Sequence, residues 1–99
     1  MDSSGMVEVF STGIISCAAP RDVADKFHSK LTKAERLRIS NRFVEDQGII
    51  FNGNWRYFFC EEDRLVDVRY SYSAEDRITG NSILCRIIEL EIEGENIEN

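Results

Sequence analysis

The chain is poor in the residues and segments that mark secreted and membrane proteins. Its 99 residues include one proline, one histidine and three cysteines, and no apolar run approaches the roughly 20 residues needed to cross a bilayer. The N-terminal stretch MDSSGMVEVF lacks the basic and apolar regions of a conventional signal peptide. We therefore expect a cytoplasmic protein that does not enter a membrane.

The three cysteines, Cys17, Cys60 and Cys85, are odd in number and far apart in the sequence. This spacing favours reduced thiols over a disulfide framework. It also lacks the close C-x-x-C pairs that are typical of zinc sites. Because free cysteine is usually buried, we expect Cys60 and Cys85 to lie in the core.

No catalytic constellation is recognisable in the sequence. His28, the single histidine, lies among lysines and is interpreted as an exposed helix residue. Glycine-rich phosphate loops, the H-E-x-x-H zinc motif and the G-x-S-x-G nucleophile motif are absent. The acids at 61–63 are interpreted as a solvated turn, since calcium loops place their ligands at alternate positions. The sequence thus predicts no catalytic residue, no cofactor and no metal site, and an enzyme is the less favoured class.

The net charge of −6 is distributed unevenly along the chain. Residues 21–45 hold seven basic and four acidic side chains, whereas residues 46–99 hold five arginines and twelve acids. A negative total weighs against tight nonspecific binding to nucleic acid, which depends on clustered lysine and arginine. A local basic helix over residues 30–43 keeps nucleic-acid binding open as an alternative.

Hydrophobic periodicity predicts a β-like opening followed by helix. The stretch MVEVFSTGIISCAA (residues 6–19) is rich in β-branched residues, with Gly13 as a bend. Apolar residues then recur every four positions, which predicts a helix. A T-x-x-E capping box at Thr32 and Glu35 begins a second helical segment that runs to about Asp46. The pattern fits two helices or one kinked helix.

After residue 48 the apolar residues alternate, which is typical of β-strands. Asn52 and Gly53 lie between the apolar runs GIIF and NWRYFFC and predict a hairpin turn. Since NWRYFFC has apolar residues on both faces, we expect it to be a central strand that is covered on both sides. The run LVDVRYSY predicts four inward-facing side chains, namely those of Val66, Val68, Tyr70 and Tyr72.

Together these elements predict an α+β fold with the order β-α(α)-β-β-β-β. We expect a mostly antiparallel sheet of about five strands with one or two helices packed on one face. A single domain over residues 1–99 is expected from the length, with flexible ends at 1–5 and 94–99.

The second helical segment carries two apolar stripes, although a helix that lies on a sheet needs only one. The stripe that we expect to meet the sheet consists of Ala34, Leu37 and Val44. Ile39 and Phe43 fall roughly opposite, flanked by Arg36 and Arg42. Either the first helix covers Ile39 and Phe43, or they face outward as an aromatic anchor rimmed by arginine. The second arrangement has the composition that binding hot spots favour.

The stretch IELEIEGE places glutamates at alternate positions of the last predicted strand. Glu89, Glu91 and Glu93 would form one row about 6.6–6.8 Å apart, with Leu90 and Ile92 facing inward. One interpretation is a solvated strand face whose charge discourages edge-to-edge aggregation. The other is an acidic docking stripe for a basic partner.

Three hypotheses of function follow from these patterns. The leading one is a small cytoplasmic protein-binding module, an inhibitor or immunity-type protein that neutralises a basic partner such as a nuclease or nucleic-acid-binding enzyme. The second is a nucleic-acid-associated regulatory module that uses the basic helix. The third is a small-ligand-binding protein or enzyme with a pocket between helix and sheet, lined by Trp55, Tyr57, Tyr70 and Tyr72.

Overall fold

The structure is a computed structural model that describes residues 5–13, 15–46, 53–61, 63–73 and 83–94. Seven elements follow in chain order: β1 (Met6–Ser11), β2 (Ile15–Pro20), α1 (Arg21–Lys30), α2 (Lys33–Asp46), β3 (Gly53–Glu61), β4 (Arg64–Ser73) and β5 (Ile83–Glu93). Neither of these two helices is long and apolar enough to cross a membrane. The predicted GIIF strand and its turn at Asn52 lie outside the described residues, as do the expected flexible ends apart from Gly5 and Gly94.

The five strands form one sheet in the order β1-β2-β5-β4-β3. β2 and β5 pair in parallel, and the other three pairs are antiparallel. The predicted α+β class and the mostly antiparallel five-stranded sheet are confirmed. Two strands precede the helices where the sequence indicated one, because the opening stretch folds back on itself. Thr12 N–H donates to the Ile15 carbonyl at 2.9 Å, and Gly13 adopts a φ of +88° that favours glycine.

The predicted capping box separates the two helices. Thr32 N–H donates to Glu35 Oε1 at 2.8 Å, and Glu35 N–H donates to Thr32 Oγ1 at 3.1 Å. These reciprocal bonds satisfy two of the N–H groups that the first turn of a helix leaves without backbone partners. The segment is therefore two helices, and α2 begins where the box predicts.

The prediction for the buried face of α2 is wrong. Ile39 and Phe43, which the sequence pattern placed opposite the sheet, are both 0% exposed, whereas Leu37 is 60% exposed. The Phe43 ring lies 4.0 Å from the Tyr70 ring between centroids, and the Tyr72 hydroxyl donates to the Phe43 carbonyl at 2.7 Å. The aromatic residues of β4 thus pack against the stripe of Ile39 and Phe43. Leu37 is left on the solvent-exposed side of the helix.

The prediction that both sides of the NWRYFFC strand are covered is also wrong. Among the described residues β3 pairs only with β4 and lies at the edge of the sheet, and the predicted GIIF neighbour lies outside these residues. Trp55, Tyr57 and Phe59 share the helix side, as predicted, but Phe58 and Cys60 on the other side are exposed. An aromatic-rich sequence indicates a strand without revealing which neighbours the strand will have.

The cysteines divide differently from the prediction. Cys85 is buried as expected, but Cys60 is exposed and Cys17 is buried in its place. Cys17 and Cys85 lie opposite each other on β2 and β5, and the Cys17 thiol donates to Cys85 Sγ at 2.6 Å. Burial raises the pKa of the Cys17 thiol, followed in effect by its contact with Cys85. A thiol held protonated in this way is a poor nucleophile.

Arg64, at the start of β4, connects both helices to the end of β5. Its Nε donates to Glu35 Oε2 at 2.8 Å, and its Nη1 donates to the Gly94 carbonyl at 3.0 Å. Its Nη2 donates to the Lys30 carbonyl at the end of α1. Arg64 is 5% exposed, so the guanidinium is a buried cation whose hydrogen bonds are made by the protein itself.

We expect Arg64→Met to destabilise the protein by about 3–5 kcal/mol, because it leaves the largely buried Glu35 carboxylate and two carbonyl groups without their hydrogen-bond donor. The control is Arg69→Met, which removes an arginine of the same strand whose ion pair with Glu89 is largely exposed; it should cost about 0–1 kcal/mol. Urea unfolding of the two variants measures both losses. Equal losses would contradict the role of Arg64.

We expect Phe43→Ala to cost about 3–5 kcal/mol, the usual loss for a buried phenylalanine. Leu37→Ala on the exposed side of the same helix should change the free energy of unfolding by about 0.5 kcal/mol or less. The same denaturation experiment compares the two. A small loss for Phe43→Ala would restore the outward-facing arrangement.

Candidate functional site

The face of the sheet opposite the helices is open along β3, β4 and β5. We call it the outer sheet face and define it by these side chains: Arg56, Phe58, Asp67, Arg69, Leu84, Arg86, Ile88, Glu89, Glu91 and Glu93. Within the described part of the chain, both helices pack on the other side, against residues such as Val66, Val68 and Tyr70. The helices therefore do not cover this face, and the pairing of the strands decides which of its side chains are neighbours.

The register aligns the outer residues in rows across three strands. Phe58 lies opposite Asp67, and Asp67 lies opposite Glu91. In the next row Arg56 lies opposite Arg69, which lies opposite Glu89. Directly opposed residues of this kind are close enough to interact. Apolar, basic and acidic side chains are thus direct neighbours on this face.

Arg56 and Asp67 form the strongest contact on this face. Arg56 Nε and Nη2 donate to the two carboxylate oxygens of Asp67 at 2.9 and 2.7 Å, which is the bidentate geometry that suits guanidinium and carboxylate. The hydrogen bond from Arg56 lowers the pKa of Asp67 below its ordinary value. The Arg56 guanidinium also lies 5.4 Å from the centroid of the Phe58 ring.

The glutamates of the predicted row do share this face. Glu91 and Glu93 are exposed, while Leu90 is buried and Ile92 is half-buried, as the alternation predicts. Arg69 Nη1 lies 3.8 Å from Glu89 Oε2. Glu91 and Glu93 make no ion pair within 4.0 Å among the described residues. Glu91 still lies within the electrostatic influence of Arg56, so the row carries two carboxylates that are not paired at contact distance.

The pairing of β5 bears on whether the glutamates protect a strand edge. β5 lies between β2 and β4 in the sheet, although β2 reaches only as far as Arg86. Beyond that point Lys26 of α1 donates its Nζ to the Leu90 carbonyl at 3.0 Å, so a helix side chain covers the backbone there. The other backbone groups on this side of β5 from Ile87 to Glu93 have no strand partner among the described residues, so edge protection and docking both stay interpretations of the row.

Three exposed apolar residues of the outer sheet face were missed from the sequence, namely Phe58, Leu84 and Ile88. They are 61%, 51% and 46% exposed. Ile88 points outward because the ladder shifts register between Arg69 and Tyr70, so that Ile88 and Glu89 together oppose Arg69. The adjacent pair Ile87-Ile88, which breaks the alternation, is the sequence signal that indicates this bulge.

The basic residues of α2 lie on the helix side of the sheet, away from the glutamates. Arg36 Nη1 donates to the Leu31 carbonyl at 2.8 Å, and Arg42 Nε donates to Asp46 Oδ2 at 2.9 Å. Arg38 donates to the Tyr57 hydroxyl at 2.9 Å and also bonds to Glu61. The side chains of these three arginines are engaged in hydrogen bonds within the chain. Fewer cations are therefore left to bind phosphate groups.

The aromatic pocket of the third hypothesis is not formed as predicted. Tyr70 and Tyr72 are buried in the core, where burial raises the pKa of each hydroxyl. The Tyr70 hydroxyl is held by Asp46 at 3.0 Å. Of the four predicted lining residues, only Tyr57 lines an open groove between α2 and β3, about 420 Å³ in volume, with Leu37 and Arg38 beside it.

Comparison with protein-family models finds no match, and comparisons with curated proteins and with solved structures find none either. Within the described ranges no group of three or more histidine, cysteine, aspartate or glutamate side chains is arranged to hold a metal ion.

The contact between Arg56 and Asp67 predicts a pH effect. Because the folded-state pKa of Asp67 is lowered, its contribution to stability is present above the ordinary value of 3.8 and is lost as the pH falls through the folded-state pKa. We expect Arg56→Met to raise the pKa of Asp67. Carboxyl carbon NMR titration measures it, with Arg86→Met on the same face as the control. A titration that does not move in Arg56→Met would contradict the assignment.

Proposed function

We propose that this protein is a small protein-binding module that docks a basic protein on its outer sheet face. The observation that carries the proposal is the joint exposure of Glu91, Glu93, Phe58 and Ile88 on the same face of the sheet, opposite the helices. Apolar anchors surrounded by charge are what protein interfaces use, because the anchors supply affinity and the charges supply orientation.

The charges of this face determine which charge the partner's surface should carry. Arg56 is committed to Asp67 and Arg69 lies beside Glu89, so the carboxylates of Glu91 and Glu93 are left to act on an approaching surface. A row of like charge attracts an oppositely charged protein over roughly a Debye length, about 8–10 Å near physiological ionic strength. The expected partner surface therefore carries lysine or arginine opposite β5.

Within this class we favour an inhibitor or immunity-type protein. Proteins that bind nucleic acid, nucleases among them, present clustered lysine and arginine. A compact acidic domain that covers such a cluster competes directly with the phosphate backbone. The net charge of −6 in 99 residues suits that role. The activity that we propose is the neutralisation of a basic enzyme.

The test replaces Glu91 and Glu93 together with glutamine. Neither residue has an ion-pair partner among the described residues, so the exchange removes two charges without leaving an arginine unpaired. We expect the variant to fold with equal or higher stability, since repulsion within the row falls. Its association rate with the partner should fall by roughly three- to tenfold at low salt and by less at high salt.

The partner is isolated by pull-down from native lysate, and association is measured by surface plasmon resonance. Asp22→Asn with Asp25→Asn on α1 is the control, because it removes the same charge from exposed positions of a helix on the other side of the sheet. The control should keep the wild-type rate. Equal rates for wild type and the Glu91 and Glu93 variant at low salt would refute docking through this row, and copurification of nucleic acid alone would refute a protein partner.

A further inference from the structure

The two edge strands of the sheet differ in how they are protected. β1 is six residues long and contains a register shift between Glu8 and Phe10, both of which discourage further pairing. β3 is nine residues long, and its pairing with β4 runs from Gly53 to Glu61 without a shift. It contains no proline and no lysine. Among the described residues nothing pairs with its outer edge, where alternate N–H and C=O groups point away from β4.

Exposed apolar residues concentrate at the β3 edge. Of the five large hydrophobic residues that are exposed in the described part of the chain, three lie here: Leu37, Trp55 and Phe58. Phe58 lies on the outer side of the strand, and Trp55 lies on the helix side. Leu37 lines the groove that separates α2 from Tyr57. Apolar surface therefore borders the open backbone on both sides of the strand, which is typical of a strand that gains a partner.

We propose that a second copy of this chain pairs with β3, in antiparallel fashion, about a two-fold axis at Tyr57. Two-fold symmetry requires each strand to present the same surface to its copy. Tyr57 is the midpoint of Gly53–Glu61, so an axis at this residue pairs the full strand with itself. Two five-stranded sheets then become one continuous sheet.

The opposed side chains at this register are compatible. Arg56 of one copy lies opposite Phe58 of the other, which extends the contact that the two residues already make within one chain. Trp55 lies opposite Phe59 of the second copy, and aromatic cross-strand pairs of this kind are favourable. The two charged residues of the strand, Arg56 and Glu61, never face a like charge across the axis. The edge is thus complementary to itself.

The position of α2 supports the same axis. Tyr57 accepts a hydrogen bond from Arg38, and its ring lies 4.8 Å from the Arg42 guanidinium, so the middle of the helix lies over the middle of β3. The axis therefore relates the two α2 helices in antiparallel orientation. Glu45 makes no ion pair within the described ranges, and it is brought toward the Arg38 end of the other helix. The groove between α2 and β3 is closed by its copy.

This dimer shares Phe58 with the docking proposal but is tested separately from it. It uses the edge of β3 and the outside of α2, whereas the charged row of Glu91 and Glu93 lies two strands away on β5. The mass of the purified protein alone tests it, with no partner present. Failure of one proposal leaves the other standing.

The first experiment is sedimentation velocity across a dilution series. We expect wild type to approach twice the 11.4 kDa chain mass at high concentration. Phe58→Lys places a lysine opposite Arg56 of the other copy and should raise the dissociation constant by about tenfold or more. Leu84→Lys is the matched control, since Leu84 is 51% exposed on β5, away from the edge, and it should keep the wild-type constant.

The second experiment is a cross-link that does not depend on weakening the dimer. The Tyr57 axis places position 54 opposite Cys60 of the other copy. Asn54→Cys should then form an intermolecular disulfide when diamide takes up the two protons and two electrons of each thiol pair. Within one chain the two positions lie about 20 Å apart along the strand, too far for a disulfide bond. Ser11→Cys on β1 is the control and should not cross-link to Cys60.

The outcomes are decisive for the axis. A dimer that Phe58→Lys weakens, together with a link between position 54 and Cys60, supports it. A single-chain mass for wild type at every concentration would overturn the proposal, and would leave the edge to the GIIF strand of the same chain, which the sequence predicts beside β3. Equal dissociation constants for Phe58→Lys and Leu84→Lys, or cross-linking by the β1 control alone, would overturn it as well.

Discussion

The guanidinium of Arg64 holds together elements that are distant in the sequence. It bonds to Glu35 in the capping box of α2, to the last carbonyl of α1 and to the Gly94 carbonyl after β5. The chain at Gly94 approaches so closely that a Cβ there would lie 2.7 Å from the Asp63 carbonyl oxygen, and its φ is +103°. Since a buried cation is tolerated only with such partners, these contacts fix where both helices lie on the sheet.

Once the helices are fixed on one face, the other face is free to carry function. The inner face is filled by the apolar side chains of β4 and β5 and by Phe43. The outer sheet face keeps both signs of charge in register, with Arg56 held by Asp67 and Ile88 turned outward by the bulge. The same ladder that builds the core therefore also sets the pattern of the surface.

Local patterns in the sequence predicted the local features well. The capping box at Thr32 and Glu35 and the alternation along β4 and β5 depend on neighbours a few residues away, and the structure confirms them. The buried face of α2 and the edge position of β3 depend on which strands lie beside them. Two apolar stripes on one helix fit a sheet equally well until Tyr70 and Tyr72 are known to lie beneath Phe43. Strand order is a long-range property that no window of sequence contains.

The distribution of charge on the folded protein also could not be predicted from the sequence alone, and this distribution bears on function. The sequence places a basic segment and an acidic segment in one chain, which suggests two surfaces of opposite sign. In the fold, Arg36, Arg38 and Arg42 are engaged by a carbonyl, a tyrosine and carboxylates of the chain itself. Glu91 and Glu93 have no such partners in the described part of the chain. Since a charge that is already paired contributes little to attracting a partner, the acidic surface is the one on which we propose that a protein partner docks.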